Sequence, residues 1–138
     1  MKKTVLFLCT HNAARSQMAE GLLRNMYGDS YEVYSAGIQP IDVHPFAIAA
    51  MNEIGIDISM HSSKSIEEFR GRLFDYVVTV CDHAKESCPF FPGETIIHKG
   101  FSDPSDIYDF RCVRDDIKQW ITDIFRNIPE KAKFKINV

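Results

Sequence analysis

The sequence lacks several features that mark particular classes of protein. No stretch approaches the roughly 20 consecutive apolar residues that a membrane-spanning helix needs. The apolar run that follows the lysines near the N-terminus is too short for a signal peptide, and no small-residue cleavage site follows it. We therefore expect neither a membrane protein nor a secreted protein, and predict a cytoplasmic location.

The sequence also lacks a large excess of either positive or negative charge. The net charge is only −3 and both signs are interspersed, so neither a nucleic-acid-binding stripe nor a membrane-surface helix is indicated. A glycine-rich dinucleotide fingerprint and a Walker lysine are both missing, which argues against a nucleotide ligand. The 138 residues, 45% of them hydrophobic, suit a single domain spanning 1–138.

The four cysteines stand out against this background. Without a secretion signal, they are better interpreted as catalytic, metal-binding or redox thiols than as a structural disulfide framework.

Strand and helix signals alternate along the chain, which predicts a parallel sheet flanked by helices. Short apolar and β-branched runs are typical of strands buried on both faces. The predicted strands are Thr4 to Leu8, Tyr31 to Ser35, Tyr76 to Val80 and Thr95 to His98. Ligands of such folds bind beyond the carboxyl ends of the strands, and Cys9 lies at such an end.

Helical spacing of apolar residues predicts three helices. The first starts near Ser16 and ends before Gly28, and the second starts at His44-Pro45 and is closed by Gly55. The third should run from near Asp109 to Pro129.

Cys9 and Arg15 are separated by five residues at the turn from the first strand into the first helix. The backbone N–H groups of such a loop form a nest for a tetrahedral oxyanion, which an arginine can clamp with two hydrogen bonds. The same field favours the thiolate form of Cys9 and makes it a nucleophile. Ser16 can donate a hydrogen bond to this thiolate, and the Asn12 side chain can hold the loop backbone.

More ordinary interpretations of these residues exist. A cysteine that ends a buried strand is usually a small core residue, although the accompanying Arg15 and Ser16 argue against this for Cys9. An aspartate before a proline, such as Asp103, is usually a turn residue. Cys112, within the third helix, is expected to be a bystander.

Together the motifs resemble a known family. The string CTHNAARSQMAEG at 9–21, with Asp103-Pro104 late in the chain, resembles the low-molecular-weight tyrosine phosphatases. With YSAG at 34–37, GIDIS at 55–59 and the segment from VTVC to CP at 78–89, the chain is similar to thioredoxin-coupled arsenate reductases built on that fold. The resemblance covers nearly the whole chain. It implies an α/β three-layer sandwich around a four-stranded parallel sheet.

The resemblance also implies roles for individual residues. Arsenate would bind in the loop, with phosphate or sulfate as competing oxyanions, and Cys9 would attack the arsenic while Asp103 protonates the departing hydroxide. Cys81 and then Cys88 would carry the oxidation as disulfides, and thioredoxin would supply the electrons, so that no bound cofactor or metal is needed. The oxyanion-binding residues would be Thr10, His11, Asn12, Ala13, Ala14 and Arg15.

The pairing of Cys81 with Cys88 that the resemblance implies has a geometric consequence. Seven positions along a helix advance about 10.5 Å, whereas a disulfide needs Cα atoms roughly 4.4–6.8 Å apart. The segment between the two cysteines would therefore be ordered when reduced and looped out when oxidised. The alternatives are two unrelated thiols, or zinc bound by Cys81, His83 and Cys88, whose spacing matches zinc knuckles poorly.

Three positions depart from the common pattern of the family. Ala14 replaces a second loop cysteine that the cascade does not need. His11 occupies a position that is often glycine, and histidine tolerates positive φ better than most residues. Lys64 stands where potassium-binding relatives have an aspartate, so its ammonium could occupy the place of the ion beside three supporting residues, Asn12, Glu20 and Ser35.

Two other functions remain open on the sequence. A phosphatase of small phosphate esters would use the same loop and Asp103, but it leaves the additional thiols unexplained, and Ser105-Asp106 follow Pro104 where phosphotyrosine-specific members tend to carry aromatic residues. A non-enzymatic thiol switch or zinc module would leave Arg15 and Asp103 unexplained.

Overall fold

The computed structural model describes residues 2–82 and 90–126. In chain order its elements are β1 (Lys3–Cys9), α1 (Arg15–Tyr27), β2 (Tyr31–Gly37), α2 (Pro45–Asn52), a 3₁₀ helix (Ile66–Phe69), β3 (Phe74–Thr79), β4 (Gly93–His98) and α3 (Ile107–Phe125).

The four strands form one parallel sheet, as the sequence predicts, and their order is β2-β1-β3-β4. Strand β1 is internal, with Cys9 opposite Gly37 of β2 and Leu8 opposite Thr79 of β3. Because the strands are parallel, the carboxyl ends of β1, β2 and β3 meet at one edge of the sheet. Cys9 and the chain that follows β3 are therefore neighbours.

Successive residues of β1 pack into two separate hydrophobic clusters, because alternate side chains of a strand point to opposite faces. Val5, Phe7 and Cys9 lie in the larger cluster, to which α1, α2 and α3 all contribute. Leu6 and Leu8 lie in the smaller cluster. That second face is covered by the 3₁₀ helix and by Phe91, so the third layer is thin in the described part of the chain.

The helix ends follow from local capping. His44 is the N-cap of α2 and Pro45 occupies the first turn, as the sequence predicts. Helix α3 begins at Ile107 rather than near Asp109, because the Asp106 side chain accepts a hydrogen bond from Asp109 N at 2.8 Å and caps the helix earlier. Its predicted end at Pro129 lies outside the described residues. Of the helices in 2–82 and 90–126, none combines the length and the apolar character needed to traverse a bilayer.

Gly37, the last residue of β2, lies directly against the loop that follows β1. A Cβ atom at this position would lie 2.7 Å from Thr10 O, 2.9 Å from Asn12 N and 3.0 Å from Cys9 O. All three are backbone atoms, which cannot move aside as a flexible side chain can. The absence of a side chain at Gly37 therefore fixes how closely the loop can pack on the sheet.

We predict that Gly37→Ala displaces the loop between Cys9 and Arg15. The overpacking should lower the free energy of unfolding by about 1–3 kcal/mol. Binding of inorganic phosphate, the simplest tetrahedral oxyanion, should weaken by about tenfold, as expected for the loss of one hydrogen bond to a charged group. Chemical denaturation and isothermal titration calorimetry measure the two effects.

Gly71→Ala is the matched control, because Gly71 has a φ of 86° and no atom lies within 4 Å of the added Cβ. That variant should lose about 1–2 kcal/mol of stability through backbone strain alone and bind phosphate like the wild type. If wild type, Gly37→Ala and Gly71→Ala bind phosphate equally well, the packing at Gly37 does not determine the shape of the anion-binding loop.

Candidate active site

A cavity of 200 Å³ lies at the carboxyl end of β1. It brings together three residues that the sequence analysis assigned to one site, namely Cys9, Arg15 and Asp103. The complete lining consists of Cys9, His11, Ala13, Ala14, Arg15, Ile41, His44, Asp103, Pro104 and Phe110.

The loop from Thr10 to Ala14 directs its carbonyl groups outward into hydrogen bonds. The bonds are Gln39 N to Thr10 O (2.9 Å), Ile41 N to His11 O (3.1 Å), Ser63 Oγ to Asn12 O (2.7 Å), His44 N to Ala13 O (2.9 Å) and Met18 N to Ala14 O (2.9 Å). With successive carbonyls held in this way, we infer that the amide N–H groups face the side on which Cys9 and Arg15 lie. This is the arrangement of an anion-binding nest.

The sharp turn of the loop is made by Asn12 and not by His11. Asn12 has a φ of 51°, the one positive φ at a non-glycine position among the described residues. The tolerance of histidine for positive φ is therefore not needed at His11, whose φ is not positive. Asparagine is among the residues that tolerate the left-handed region best, and its buried side chain is held on both sides by hydrogen bonds.

A chain of hydrogen bonds leads from Asn12 to the thiol. Asn12 Nδ2 donates to Ser16 Oγ at 2.8 Å and to Ser35 Oγ at 2.9 Å. Ser16 Oγ lies 2.8 Å from Cys9 Sγ. Because the Ser16 oxygen already accepts from Asn12, its own proton is available to donate to the Cys9 sulfur. Ser16 is thus in direct contact with the Cys9 sulfur, and Asn12 reaches that sulfur only through Ser16.

Arg15 is buried, with only 5% of its side chain exposed. Its Nη1 donates to the carbonyl oxygen of Phe101 at 3.1 Å, and its Nη2 lies 3.8 Å from Asp103 Oδ1. The loop before α3 therefore both orients the guanidinium and brings Asp103 to the cavity. The Asp103 side chain is 73% exposed, which places it at the mouth rather than in the interior.

Glu20 is the buried carboxylate beneath the loop, and the predicted supporting residues surround it. The hydroxyl of Ser35 donates to Glu20 Oε1, and Lys64 Nζ lies 3.9 Å from the same oxygen. Arg24 Nη2 lies 2.7 Å from Glu20 Oε2. The Lys64 backbone N also donates to Asn12 Oδ1 at 2.8 Å. A carboxylate that is only 6% exposed needs such compensation.

Gln17 and His61 complete this network and were not singled out from the sequence. Gln17 Nε2 donates to Asn12 O at 3.0 Å, and Gln17 Oε1 accepts from His61 Nδ1 at 3.0 Å. His61 Nε2 in turn accepts from Arg24 Nη1 at 3.2 Å. The signal available in the sequence was the helical spacing of Gln17, Glu20 and Arg24, which places them on one face of α1.

Burial lowers the pKa of His61 below its ordinary value. The charge of Glu20 opposes this, and the charges of Arg24 and Lys64 reinforce it. Protonation of His61 would also abolish the hydrogen bond that its Nε2 accepts from Arg24. The folded protein therefore favours the neutral imidazole.

The cysteines differ in their surroundings. Cys81 is fully buried at the end of β3, with its Sγ 3.8 Å from Leu8 O, and it takes part in a disulfide. Cys9 is a buried free thiol and Cys112 an exposed one. Cys88 and His83 lie outside the described residues, so the Cys81–Cys88 pairing stays a prediction. Within 2–82 and 90–126, no group of three or more His, Cys, Asp or Glu side chains is arranged to hold a metal ion.

The low molecular weight phosphotyrosine protein phosphatase family matches residues 4–133, and the chain belongs to this family. Within it, the chain is similar to reductases. Arsenate reductase 1 of Staphylococcus epidermidis is 49% identical over 120 residues, which cover 85% of this chain and 91% of the relative.

Solved structures agree with the sequence comparison. An arsenate reductase in the phosphate binding state matches with a TM-score of 0.82 at 34% identity, over 91% of this chain and 98% of that one. A thioredoxin-dependent arsenate reductase of Corynebacterium glutamicum matches with a TM-score of 0.75 at 31% identity, over 94% of this chain and 63% of that one. The resemblance drawn from the motifs is thereby confirmed.

We predict that His61 makes the stability of the protein depend on pH. The pKa of His61 is lower in the folded state than its ordinary value of about 6.5. The unfolded chain therefore binds more protons below pH about 6.5, and the free energy of unfolding falls as the pH decreases through that region. Urea denaturation at a series of pH values between about 7.5 and 5.5 measures the slope.

His61→Asn is the informative variant, because the amide of asparagine can still donate to Gln17 while carrying no titrating group. Its stability should change less with pH over the same range than that of the wild type. If the free energy of unfolding depends equally on pH in wild type and His61→Asn, the pH dependence does not come from His61.

Proposed function

We propose that this protein reduces arsenate to arsenite at Cys9, with electrons supplied by thioredoxin. The observation that carries the proposal is a cavity lined by Cys9 and Arg15, beside which the adjacent strand leads to Cys81, a second buried cysteine that takes part in a disulfide. A phosphatase of phosphate monoesters would need the cavity but not Cys81. The names of the relatives support the reductase over that alternative.

The first step forms a covalent adduct. Arsenate binds to the amides of residues 10–15, and the guanidinium of Arg15 neutralises part of its charge. The Cys9 thiolate, stabilised by the Ser16 hydroxyl, attacks the arsenic and forms a sulfur–arsenic bond. Hydroxide leaves and takes up a proton from Asp103 at the cavity mouth, so that the product is water.

The second step moves two electrons to arsenic. The thiolate of reduced Cys81 attacks the Cys9 sulfur and forms a Cys9–Cys81 disulfide. The electron pair of the sulfur–arsenic bond stays with arsenic, which leaves as arsenite. The register of β1 and β3 supports this step, because Leu8 pairs with Thr79 and Val80 N donates to Leu8 O at 2.9 Å, which places Cys81 beside the end of β1.

The third step regenerates the nucleophile. The thiolate of Cys88 attacks Cys81 and releases Cys9 as a thiolate, and the oxidation is then held as a Cys81–Cys88 disulfide. Two thiols of reduced thioredoxin return this bond to the dithiol form by exchange. The disulfide in which Cys81 takes part is compatible with this state.

Three further assignments belong to the proposal. The enzyme uses no bound cofactor, because thioredoxin supplies both electrons. Phosphate and sulfate compete for the loop as tetrahedral oxyanions. The enzyme acts in the cytoplasm, where a thioredoxin system keeps thiols reduced, and nucleic acids and membranes are not among its partners.

The proposal is tested by measuring arsenite production with thioredoxin, thioredoxin reductase and NADPH, beside a phosphate-ester assay. Cys9→Ser should abolish both activities, because in the proposal Cys9 is the nucleophile that attacks the oxyanion in both reactions. Cys81→Ser and Cys88→Ser should abolish sustained arsenate reduction and leave any phosphate-ester hydrolysis intact. Cys112→Ser, which alters an exposed thiol, serves as the control and should be fully active.

Multiple turnovers by Cys88→Ser with thioredoxin as the sole reductant would count against the cascade. Peptide mapping after oxidation by arsenate provides a second criterion. Peptide mapping should find the Cys81–Cys88 disulfide. If the dominant disulfide instead contains Cys112, the proposed cascade is excluded.

We further propose that the Lys64 ammonium supports the loop in place of a potassium ion. Lys64 Nζ lies 3.9 Å from Glu20 Oε1 and donates to Ser62 O at 2.7 Å, rather than extending toward Glu67, which pairs with Arg70. A cation is thus already present beside Glu20, and the residues do not fit an additional potassium ion.

The enzyme should therefore be indifferent to potassium. Wild type should have equal stability and an equal Michaelis constant for arsenate in potassium and in a bulky organic cation at the same ionic strength. Lys64→Asp should gain about 1–3 kcal/mol of stability from potassium, as expected when an ion binds only the folded state. A clear potassium response of the wild type would show that the lysine does not replace the ion.

A further inference from the structure

His44 marks the start of helix α2, and its side chain also lines the same cavity as Cys9 and Arg15. His11 is the other histidine of that cavity. The contacts of the two rings fix their protonation differently, and this difference determines what each can offer to a bound anion.

His44 carries its proton on Nε2. Its Nδ1 accepts a hydrogen bond from Phe46 N at 3.0 Å, as the N-cap of α2. A ring nitrogen that accepts an N–H bond bears no proton, and the neutral imidazole has one N–H in all. The Nε2–H group of His44 is therefore a hydrogen-bond donor that the cap does not use.

His11 has the opposite arrangement. Its Nδ1 lies 3.0 Å from the carbonyl oxygen of Gln39, which can only accept, so the proton is on Nδ1. The Nε2 atom of the neutral ring then presents a lone pair, which repels an anion. Of the two neutral imidazoles, only that of His44 can donate to an oxyanion.

The His44 ring is also held in a defined position relative to the loop. Its backbone N donates to Ala13 O at 2.9 Å, so the residue is tied directly to the anion-binding loop. The ring packs against Phe110 and Phe46, with centroids 4.7 Å and 5.1 Å away. A donor held in this way loses little side-chain entropy when it forms a hydrogen bond.

We propose that His44 Nε2–H donates a hydrogen bond to the tetrahedral oxyanion bound above Cys9, and that His44 is a binding residue for the substrate. The inference rests on the proposed function, which places the oxyanion in this cavity. Three other lining residues, Ile41, Pro104 and Phe110, have no side-chain hydrogen-bond donor. His44 thus supplies a directional donor that they cannot.

Two substitutions separate the roles of the two ring nitrogens. In His44→Asn the side-chain oxygen can replace Nδ1 as the cap acceptor, because asparagine is a preferred N-cap, but the donor at the position of Nε2 is lost. In His44→Gln the longer amide can place an N–H near the position of Nε2, but glutamine caps poorly. The same exchange at His98, an exposed histidine outside the cavity lining, gives the control His98→Asn.

The probe is inorganic phosphate, whose dissociation constant is measured by isothermal titration calorimetry, together with kcat and KM for arsenate and the thermal midpoint. His44→Asn keeps a cap acceptor and should therefore lose less thermal stability than His44→Gln, and it should raise both the phosphate dissociation constant and the KM about tenfold, as expected for one lost hydrogen bond to an anion. His44→Gln should have a lower thermal midpoint but bind phosphate within about threefold of the wild type. His98→Asn should bind phosphate unchanged.

An unchanged phosphate dissociation constant in His44→Asn would overturn the inference, as would equal weakening in the Asn and Gln variants, since that would assign the effect to ring packing. Arg15→Lys distinguishes failure of the inference from failure of the proposed function. If Arg15→Lys loses phosphate binding while His44→Asn keeps it, only the role of His44 is wrong. If Arg15→Lys also binds phosphate normally, the oxyanion site itself is wrong.

Discussion

The conformation of Asn12 is the constraint on which the rest of the site depends. Its positive φ of 51° turns the chain between β1 and α1, and its side chain fixes that turn by donating to Ser16 and Ser35 and accepting from Lys64 N. Because the side-chain and backbone oxygens of Asn12 are held from outside the loop, the adjoining amides are left for an anion. The same amide group orients the Ser16 hydroxyl toward the Cys9 sulfur. One side chain thus couples the shape of the anion nest to the activation of the nucleophile.

Glu20 places a buried negative charge beneath a loop that is to bind an anion. Such a carboxylate is tolerated only when nearby cations compensate its charge, and Arg24 and Lys64 are those cations. His61 stays neutral because burial and these same cations oppose its protonation. The supporting network therefore holds Asn12 in place without adding a net negative field that would repel the substrate.

Local patterns in the sequence predict the parts of the site that depend on local structure. Residues distant along the chain, such as Asp103 and Lys64, were assigned to the site only through the family resemblance, and others were missed. The run before Cys9 predicts β1, and the spacing to Arg15 predicts the loop, because strand ends and helix starts are encoded locally. His61 and Phe101 reach the loop through contacts 44 and 86 residues apart with Gln17 and Arg15, and no short motif encodes such contacts. The sequence marks His44 as the start of a helix. Only the structure shows that the cap uses Nδ1, which leaves Nε2 as a hydrogen-bond donor. That Asn12 is the residue with a positive φ also depends on side-chain contacts with neighbouring elements, which the sequence does not reveal.

The burial of the thiols explains why a reductase on this fold needs more cysteines than a phosphatase. Cys9 is 2% exposed and Cys81 is fully buried, so a disulfide between them would lie beyond the reach of another protein. A phosphatase avoids the problem, because water is small enough to enter the cavity and hydrolyse a covalent intermediate. A reductase whose electrons come from thioredoxin has to carry the oxidation from the interior to a position where a protein thiol can attack. In the proposed cascade Cys88 has this role: its exchange with Cys81 takes the oxidation over from Cys9 and at the same time returns Cys9 to the loop as a thiolate.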